Sequence, residues 1–242
     1  ILARNEARTI RAAVVGALPF AHRVLVMDGR SSDGTSEVAR DAGAVVYTDA
    51  GRGKGAAIRQ SIALASSDVL VFMDADGSHD PADIPRLAIP VTEGHVELCI
   101  GSRFAGGSEE LSVSLGQLVR TVGNISMNVA INRRWQTLLT DTLNGFRAVR
   151  RSAVIRAGLR EDRHTIEQEM VMKMLRHGYR ISNVPTHEYA RSFGQSHINI
   201  AREWPLFVWC VIANIARRDI RPRERAHSGP SAGAPMQGPP NA

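Results

Sequence analysis

The stretch Met73-Asp74-Ala75-Asp76-Gly77-Ser78-His79-Asp80 carries the sharpest chemical signal in the chain. Two carboxylates stand two apart where the apolar run Val69 to Met73 ends. In extended backbone, residues i and i+2 face the same way. Two like charges on one face repel unless a cation or a proton lies between them. Carboxylate oxygens suit Mg2+ or Mn2+, ions that also bridge phosphates. Asp74 and Asp76 are therefore candidate metal ligands. The bland alternative is a turn, with Asp76-Gly77 supplying the turn chemistry.

Three further features point the same way. Asp28 closes the apolar run Val24 to Met27 and precedes Ser31-Ser32-Asp33-Gly34-Thr35. Its carboxylate could accept hydrogen bonds from a nucleobase or a ribose, while Asp33 could simply cap a helix. Gly51-Arg52-Gly53-Lys54-Gly55-Ala56 is a glycine-rich loop before a helical run. Glycines let backbone N–H groups approach a phosphate, and a helix start adds its dipole. Neither G-x-x-x-x-G-K-[ST] nor G-x-G-x-x-G spacing occurs, and a plain surface loop is the alternative. Gly101-Ser102-Arg103-Phe104 puts a cation after another apolar run, free for a ligand or paired with a carboxylate. A diphosphate carrying a metal ion fits a carboxylate pair, a nucleobase-type Asp and two cations.

These residues need a scaffold that brings them to one edge. Ile1–Ala3, Val24–Met27, Ala44–Tyr47, Val69–Met73 and Val96–Ile100 read as strands. Between them Glu6–Gly16, the stretch from Asp33 to near Gly43, Ala56–Ala65 and Asp83–Val91 read as helices, with Asn5 capping the first. Apolar strands alternating with helices predict an α/β fold, a mostly parallel central sheet covered by helices on both faces. In such sheets ligands sit beyond the carboxyl ends of the strands. Past residue 104 the spacing predicts helices over Leu111–Ile131, Thr165–His177 and Glu203–Arg217, a strand over Arg180–Val184, and an extended or turn segment over Asp141–Val149. The expected organisation is a catalytic domain over 1–200, split near 104 into a nucleotide-binding half and an acceptor half. An apolar helix over 201–217 and a disordered basic, Pro/Gly-rich tail over 218–242 follow.

Composition narrows the class. With 242 residues, 43% hydrophobic and 22% charged, the chain can bury a core, which excludes collagen-like, mucin-like and wholly disordered proteins. Only 5% aromatics argues against a base-stacking platform, and no nucleic-acid partner is expected. The net charge of +6 is uneven: Arg217–Arg225 holds five Arg against Asp219 and Glu224, or +3. Such a tail suits an anionic surface, or simply solvates the chain. Cys99 and Cys210 lie in separate apolar runs, which predicts neither a disulfide framework nor a zinc site and makes a reducing compartment the default. The chain opens on Ile1 in what reads as the end of a strand, so further residues are expected before it. The apolar run Pro205–Ala216, interrupted by Asn214, is short of the ~20 residues that span a bilayer.

Taken in order, eight stretches resemble one family: Ala3-Arg4-Asn5-Glu6; Val26-Met27-Asp28 through Ser31-Ser32-Asp33-Gly34-Thr35; Gly53-Lys54-Gly55; Met73 through His79; Gly101-Ser102-Arg103; Asp141 through Gly145-Phe146-Arg147; Glu167-Gln168-Glu169-Met170; and Arg191-Ser192-Phe193-Gly194-Gln195-Ser196. The chain resembles the inverting nucleotide-sugar glycosyltransferases of family 2, which have the GT-A (Rossmann-like) fold, and within them the dolichol- or polyprenyl-phosphate mannose synthases. The resemblance implies that Ala3, Asn5, Glu6 and Asp28 cradle the nucleotide, with Lys54 and Ala75 in the same nucleotide-sugar site. It implies that Asp74 and Asp76 hold Mg2+ or Mn2+ and the diphosphate, and that Arg103 lies by the sugar or phosphates. Arg191, Ser196 and His197 would hold an acceptor phosphate. Three departures stand out. Gly29 and Arg30 follow Asp28 where the family has a second Asp. His197, with a reference pKa of about 6.5, replaces a Lys. No transmembrane hairpins follow, so attachment to a membrane would be peripheral.

The acceptor decides the mechanism. A hydroxyl nucleophile needs a general base; a phosphomonoester, with its second pKa at about 6, is already anionic and needs cations. Arg191 and His197 beside Ser196 read as a phosphate clamp, or Arg191 as a surface residue. Asp141, Glu167 or Glu169 could supply a base, but Glu167 and Glu169, two apart on a helix, cannot both face one point. Trp204-Pro205-Leu206-Phe207-Val208-Trp209 followed by Arg suits a helix lying on a bilayer, or a core-packing helix. The expected activity is transfer of a hexose, mannose from GDP-mannose first, to a polyprenyl phosphate at the cytoplasmic face of a membrane. Asp76, Arg103, Asp141 and Glu169 are the catalytic candidates. The alternatives are a UDP-glucose enzyme with a soluble or saccharide hydroxyl acceptor, using Asp141 or Glu169 as base, and a nucleotide-binding regulator without turnover.

Overall fold

A computed structural model describes residues 1–109, 115–191 and 200–220. Strands β1 (Leu2–Ala3), β2 (Leu25–Asp28) and β3 (Val45–Thr48) form a parallel sheet in the order β1-β2-β3. Strands β4 (Val69–Phe72), β5 (Leu98–Ser102), β6 (Arg147–Arg150) and β7 (Ile181–Pro185) form a second sheet in the order β4-β6-β5-β7. The sheets meet at Leu2, which bridges Asp74 in parallel and donates its amide to the Met73 carbonyl at 3.2 Å. In space the order is therefore β3-β2-β1-β4-β6-β5-β7, with β6 antiparallel to its neighbours β4 and β5. This carries the α/β class read from the sequence.

Two features of the second half differ from the sequence reading. The segment over Asp141–Val149 ends in β6, inserted between β4 and β5, where Ala148 and Val149 are wholly buried. Strand direction is a property of the partners, and nothing in Arg-Ala-Val-Arg announces it. A helix, α7 (Arg151–Ala157), follows at once. The other helices are α1 (Ile10–Ala17), α2 (Thr35–Asp41), α3 (Lys54–Leu64), α4 (Ile84–Thr92), α5 (Arg103–Gly106), α6 (Leu115–Trp135), α8 (Ile166–Arg176) and α9 (Ile200–Ile215). Helix α1 starts later than the pattern suggested because Asn5 takes a left-handed turn (φ 56°) and the Glu6 amide donates to Thr35 instead.

Helices cover both faces. One core joins Ile10, Val14, Val26, Leu87 and Phe146; the other joins Ile58, Ile100, Ile131, Trp135, Met170 and Val211. Each large apolar side chain so buried contributes about 1.5–3 kcal/mol. Helix α8 is buried from Ile166 to Leu175, with α9 packed against it and α6 joined to it where Gln168 reaches the Met127 sulfur. Helices α6 and α9 run parallel: the Trp204 ring lies on Gly123, and Arg134 Nε donates to the Ile215 carbonyl at 3.3 Å. A Cβ at Gly123 would sit 1.6 Å from that ring, so the close approach requires glycine. Among the described residues no helix is long and apolar enough to cross a membrane. Cys99 and Cys210 are free and buried.

Candidate active site

The carboxyl ends of β1, β2 and β4 form one rim. The register sets Ala3 beside Asp28 and Leu2 beside Asp74. Two loops are laced together above it. Asn5 donates its amide to Ser31 Oγ (2.8 Å) and accepts from the Ser32 amide (3.0 Å); Ala7 donates to Asp33 Oδ2 (3.0 Å). Asp33 Oδ1 accepts the Thr35 amide at 3.1 Å, so this residue ties the loop to the start of α2. Asp28 is buried; its Oδ2 accepts the Ser31 amide at 3.1 Å, while its Oδ1 has no partner. A buried acceptor left unpaired costs about 1–3 kcal/mol, so this atom calls for a donor such as a base N–H or a ribose hydroxyl. Glu6 lies close by, and burial raises its pKa against the Thr9 hydroxyl that lowers it.

The acidic pair sits on the turn after β4. Asp76 Oδ1 accepts from the Ser78 amide (3.1 Å) and hydroxyl (2.6 Å), and its Oδ2 meets Arg191 Nε at 3.2 Å. Asp74 meets Lys54 Nζ at 3.0 Å, and the same ammonium reaches Glu167 at 2.9 Å. Burial pushes the Asp74 carboxyl up, but Lys54, with His79 and Arg191, outweighs it and holds the group at about 2. Burial likewise works against the Lys54 ammonium, and Asp74 and Glu167 reverse that and raise it. A Cβ on Gly145 would lie 3.0 Å from Asp74 Oδ2 and 3.2 Å from Lys54 Nζ, so a larger residue there would press on both side chains. His79 stacks on Phe146 and accepts the Asp74 amide at Nδ1, and burial lowers its pKa against Asp74 and Asp76, which raise it.

A cavity of about 230 Å3 opens from this turn. Its lining combines the charged Lys54, Asp74, Arg103, Glu167, Glu188 and Arg191 with the apolar Met127, Leu143, Trp204 and Phe207. Arg103 grips Asp141 through Nε (2.7 Å) and Nη2 (3.2 Å) and reaches Glu188 at 3.3 Å. Asp141 is wholly buried and also accepts the amides of Leu143 and Asn144. Beneath it Arg147, buried, donates to the carbonyls of Thr142 and Glu167, and burial lowers it to about 10. Glu167 Oε2 is buried without a partner. Sequence reasoning missed Glu188 and the bracing role of Arg147; neither sits in a short motif that shows its partner.

Three expectations need correction. The amides of Gly55 and Ala56 donate to the Asp162 carbonyl at 2.9 and 3.2 Å, and Gly53 and Gly55 pack on residues 161–163. The glycines therefore seat α3 against a neighbouring loop and do not offer these N–H groups to a phosphate; Lys54 alone of that loop enters the cavity. Glu169, expected as a base, turns away: its Oε2 caps the Arg160 and Glu161 amides and its Oε1 pairs with Lys173 at 2.7 Å. Asp141, the other expected base, has both oxygens engaged and serves Arg103. Glu167 is the carboxylate of α8 that faces the cavity. Ser196 and His197 lie outside the described residues, as do 111–114 of the helix expected over Leu111–Ile131 and 221–242 of the tail.

The donor set can be tested against a divalent ion. Among the described residues no three His, Cys, Asp or Glu side chains gather closely enough to hold a metal unaided. Two carboxylates on one turn, with phosphate and water completing the shell, is an ordinary arrangement for Mg2+. The residues fit an ion shared with a diphosphate, with Lys54 beside Asp74 and Arg191 beside Asp76.

Comparison with known proteins gives a consistent picture. The sequence model of the family described as Glycosyl transferase family 2 matches residues 1–158. Glycosyltransferase AglJ of Haloferax volcanii is 35% identical over 78% of this chain, which spans 62% of that protein's length. An undecaprenyl-phosphate mannosyltransferase of Micrococcus luteus is 29% identical over 73% of this chain and 75% of its own. In fold, the chain superposes on a Mycobacterium tuberculosis glucosyl-3-phosphoglycerate synthase, crystallised with Mn2+, UDP-glucose and phosphoglyceric acid. The TM-score is 0.68 over 90% of this chain and 79% of that one, at 20% identity.

Proposed function

The chain belongs to glycosyltransferase family 2 and is a glycosyltransferase, and on that footing we propose that it moves a hexose, with inversion, from a nucleotide sugar to a lipid phosphate. Mannose from GDP-mannose is the donor we favour, and a polyprenyl phosphate the acceptor. The mixed lining of the cavity carries this reading: cations and carboxylates together with apolar side chains of α6 and α9 suit a phosphate on an apolar chain. The similarity to an undecaprenyl-phosphate mannosyltransferase supports it.

Asp28 would hold the nucleoside through its unpartnered oxygen, with Ala3, Asn5 and Glu6 shaping the groove. Mg2+ or Mn2+ held by Asp74 and Asp76 would neutralise the diphosphate. Arg103, fixed by Asp141 and Glu188, presents its charge where the sugar and phosphates meet. Arg191 would bind the acceptor phosphate, assisted by Ser196 and His197. An acceptor phosphate oxygen then forms a bond to the anomeric carbon on the face opposite the leaving group. The bond from that carbon to the diphosphate oxygen breaks, and the nucleoside diphosphate leaves with the electron pair. The acceptor is already deprotonated, so no base is required.

One observation favours a second reading. The unpartnered Oε2 of Glu167 would accept the proton of a hydroxyl acceptor, with UDP-glucose as the sugar donor. Two measurements separate the readings. Release of nucleoside diphosphate from GDP-mannose and UDP-glucose, with Mn2+, should rise when a short polyprenyl phosphate is added; no rise with either donor rejects the lipid phosphate. Glu167→Gln should lower kcat less than about tenfold if the acceptor is a phosphate, whereas loss beyond about 10^2-fold identifies a general base.

A further inference from the structure

We propose that α6 and α9 together form a docking face for an anionic lipid bilayer, and that the cavity opens beside it. Helix α9 packs on both α8 and α6, and Gln168 of α8 reaches the Met127 sulfur of α6, an arrangement that sets the outer faces of α6 and α9 side by side. Those outer faces are apolar. Val122, Ile125 and Val129 on α6 and Trp209 and Ile212 on α9 are 47–68% exposed. Their spacing is helical, one stripe on each helix. Large apolar side chains grouped on a surface mark a contact site more often than chance does.

The charges select the partner. Because the two helices run parallel, their carboxyl ends lie together, and this end carries exposed Arg133, Arg217 and Arg218. The Arg134–Asp219 pair ties the two ends to each other at 3.1 Å. Arg221, Arg223 and Arg225 follow in sequence. An apolar face bordered by arginines matches a layer of acyl chains bordered by anionic headgroups. A second copy of this chain would bring the same arginines into mutual repulsion wherever the two basic ends met. Trp209, the most exposed of the five, is a side chain suited to the boundary between headgroup and acyl chain.

The other end of the same helices supplies the cavity wall. Asn124 and Met127 of α6 and Trp204 and Phe207 of α9 line it. The face and the cavity therefore share two helices, and the arginine end lies about 11 residues, or roughly 16 Å, along them. An acceptor embedded in the bilayer would present its phosphate to Arg191 without leaving the lipid. That last step rests on the lipid-phosphate reading; the docking face does not.

The test is co-sedimentation of the whole chain with phosphatidylglycerol/phosphatidylcholine vesicles and with phosphatidylcholine alone. Binding should favour the anionic vesicles, weaken as salt is added, and fall about tenfold or more in W209E/I212E. Val129→Glu should weaken it as well, since α6 is half of the face. Circular dichroism and Mn2+-dependent nucleotide binding should match the parent chain, because none of these residues touches the site. No binding to anionic vesicles, equal binding by the variants, or a dimer that the variants dissolve would overturn the proposal. Vesicle binding without turnover of a prenyl phosphate would leave the face standing and reject the acceptor. Turnover of a water-soluble prenyl phosphate without vesicle binding would do the reverse.

Discussion

Around Asp28 the chain is addressed through its backbone: amides of Asn5, Glu6, Ala7, Ser31 and Ser32 meet short neutral or acidic side chains across the two loops. Around Arg103 it is addressed through charge: Arg103 with Asp141 and Glu188, Lys54 with Asp74 and Glu167, Arg191 with Asp76. The rim holds its shape with ordinary hydrogen bonds, worth about 0.5–1.5 kcal/mol each. The cavity holds its shape with buried ions, whose loss leaves a partner uncompensated. The first kind of site should respond to salt less than the second, which depends on pairs of opposite charge.

The largest break in that contrast is Asp141→Asn. It strips Arg103 of the carboxylate that grips it in two places and should cost about 3 kcal/mol of stability, read by chemical denaturation. Ser31→Ala on the rim should cost about 1 kcal/mol or less. Equal losses would erase the distinction.

Acid sharpens it. Asp74 is held at about 2, below the ordinary carboxylate value, so its ionised form favours the folded state. That contribution is complete above the ordinary value and drains away as the pH falls from about 4 to about 2, amounting to about 2 kcal/mol. Denaturation profiles of the parent and Asp74→Asn should converge over that range; a constant gap would place the Asp74–Lys54 pairing elsewhere.

The smallest effect concerns Arg191, whose Nε lies 3.2 Å from Asp76 Oδ2. Removing it as Arg191→Gln should tighten Mn2+ binding without nucleotide by about fivefold, the equivalent of one modest ion pair. Weaker binding in the variant, measured by calorimetry, would show that Arg191 assists the ion.

The same contrast explains what could be read from the sequence. The apolar runs ending in Asp28, Asp74 and Ser102 announced their strands and the rim, because a buried strand and its terminal polar residue are neighbours in sequence. The charged half was less legible. Asp162, which takes the Gly55 and Ala56 amides, lies more than a hundred residues from them, so the glycine loop looked free for a phosphate. On α8, Glu167 and Glu169 are equivalent by composition, and only the position of Lys54 against Lys173 decides which enters the cavity. Glu188 carries no motif at all; its partners are Arg103 and Ser108. The apolar Trp204 segment fitted both a packing and an interfacial helix, and α9 has a face of each kind, Cys210 and Val211 inward and Trp209 and Ile212 outward.

Calorimetric titration of GDP and UDP, with and without Mn2+, into the parent chain and Asp76→Asn probes the acidic turn most directly. At least one nucleotide should bind about tenfold or more tightly with Mn2+, and that gain should vanish in the variant. Binding unaffected by Mn2+, or a gain that survives Asp76→Asn, would mean that the turn after β4 does not hold an activated sugar's diphosphate through a divalent ion.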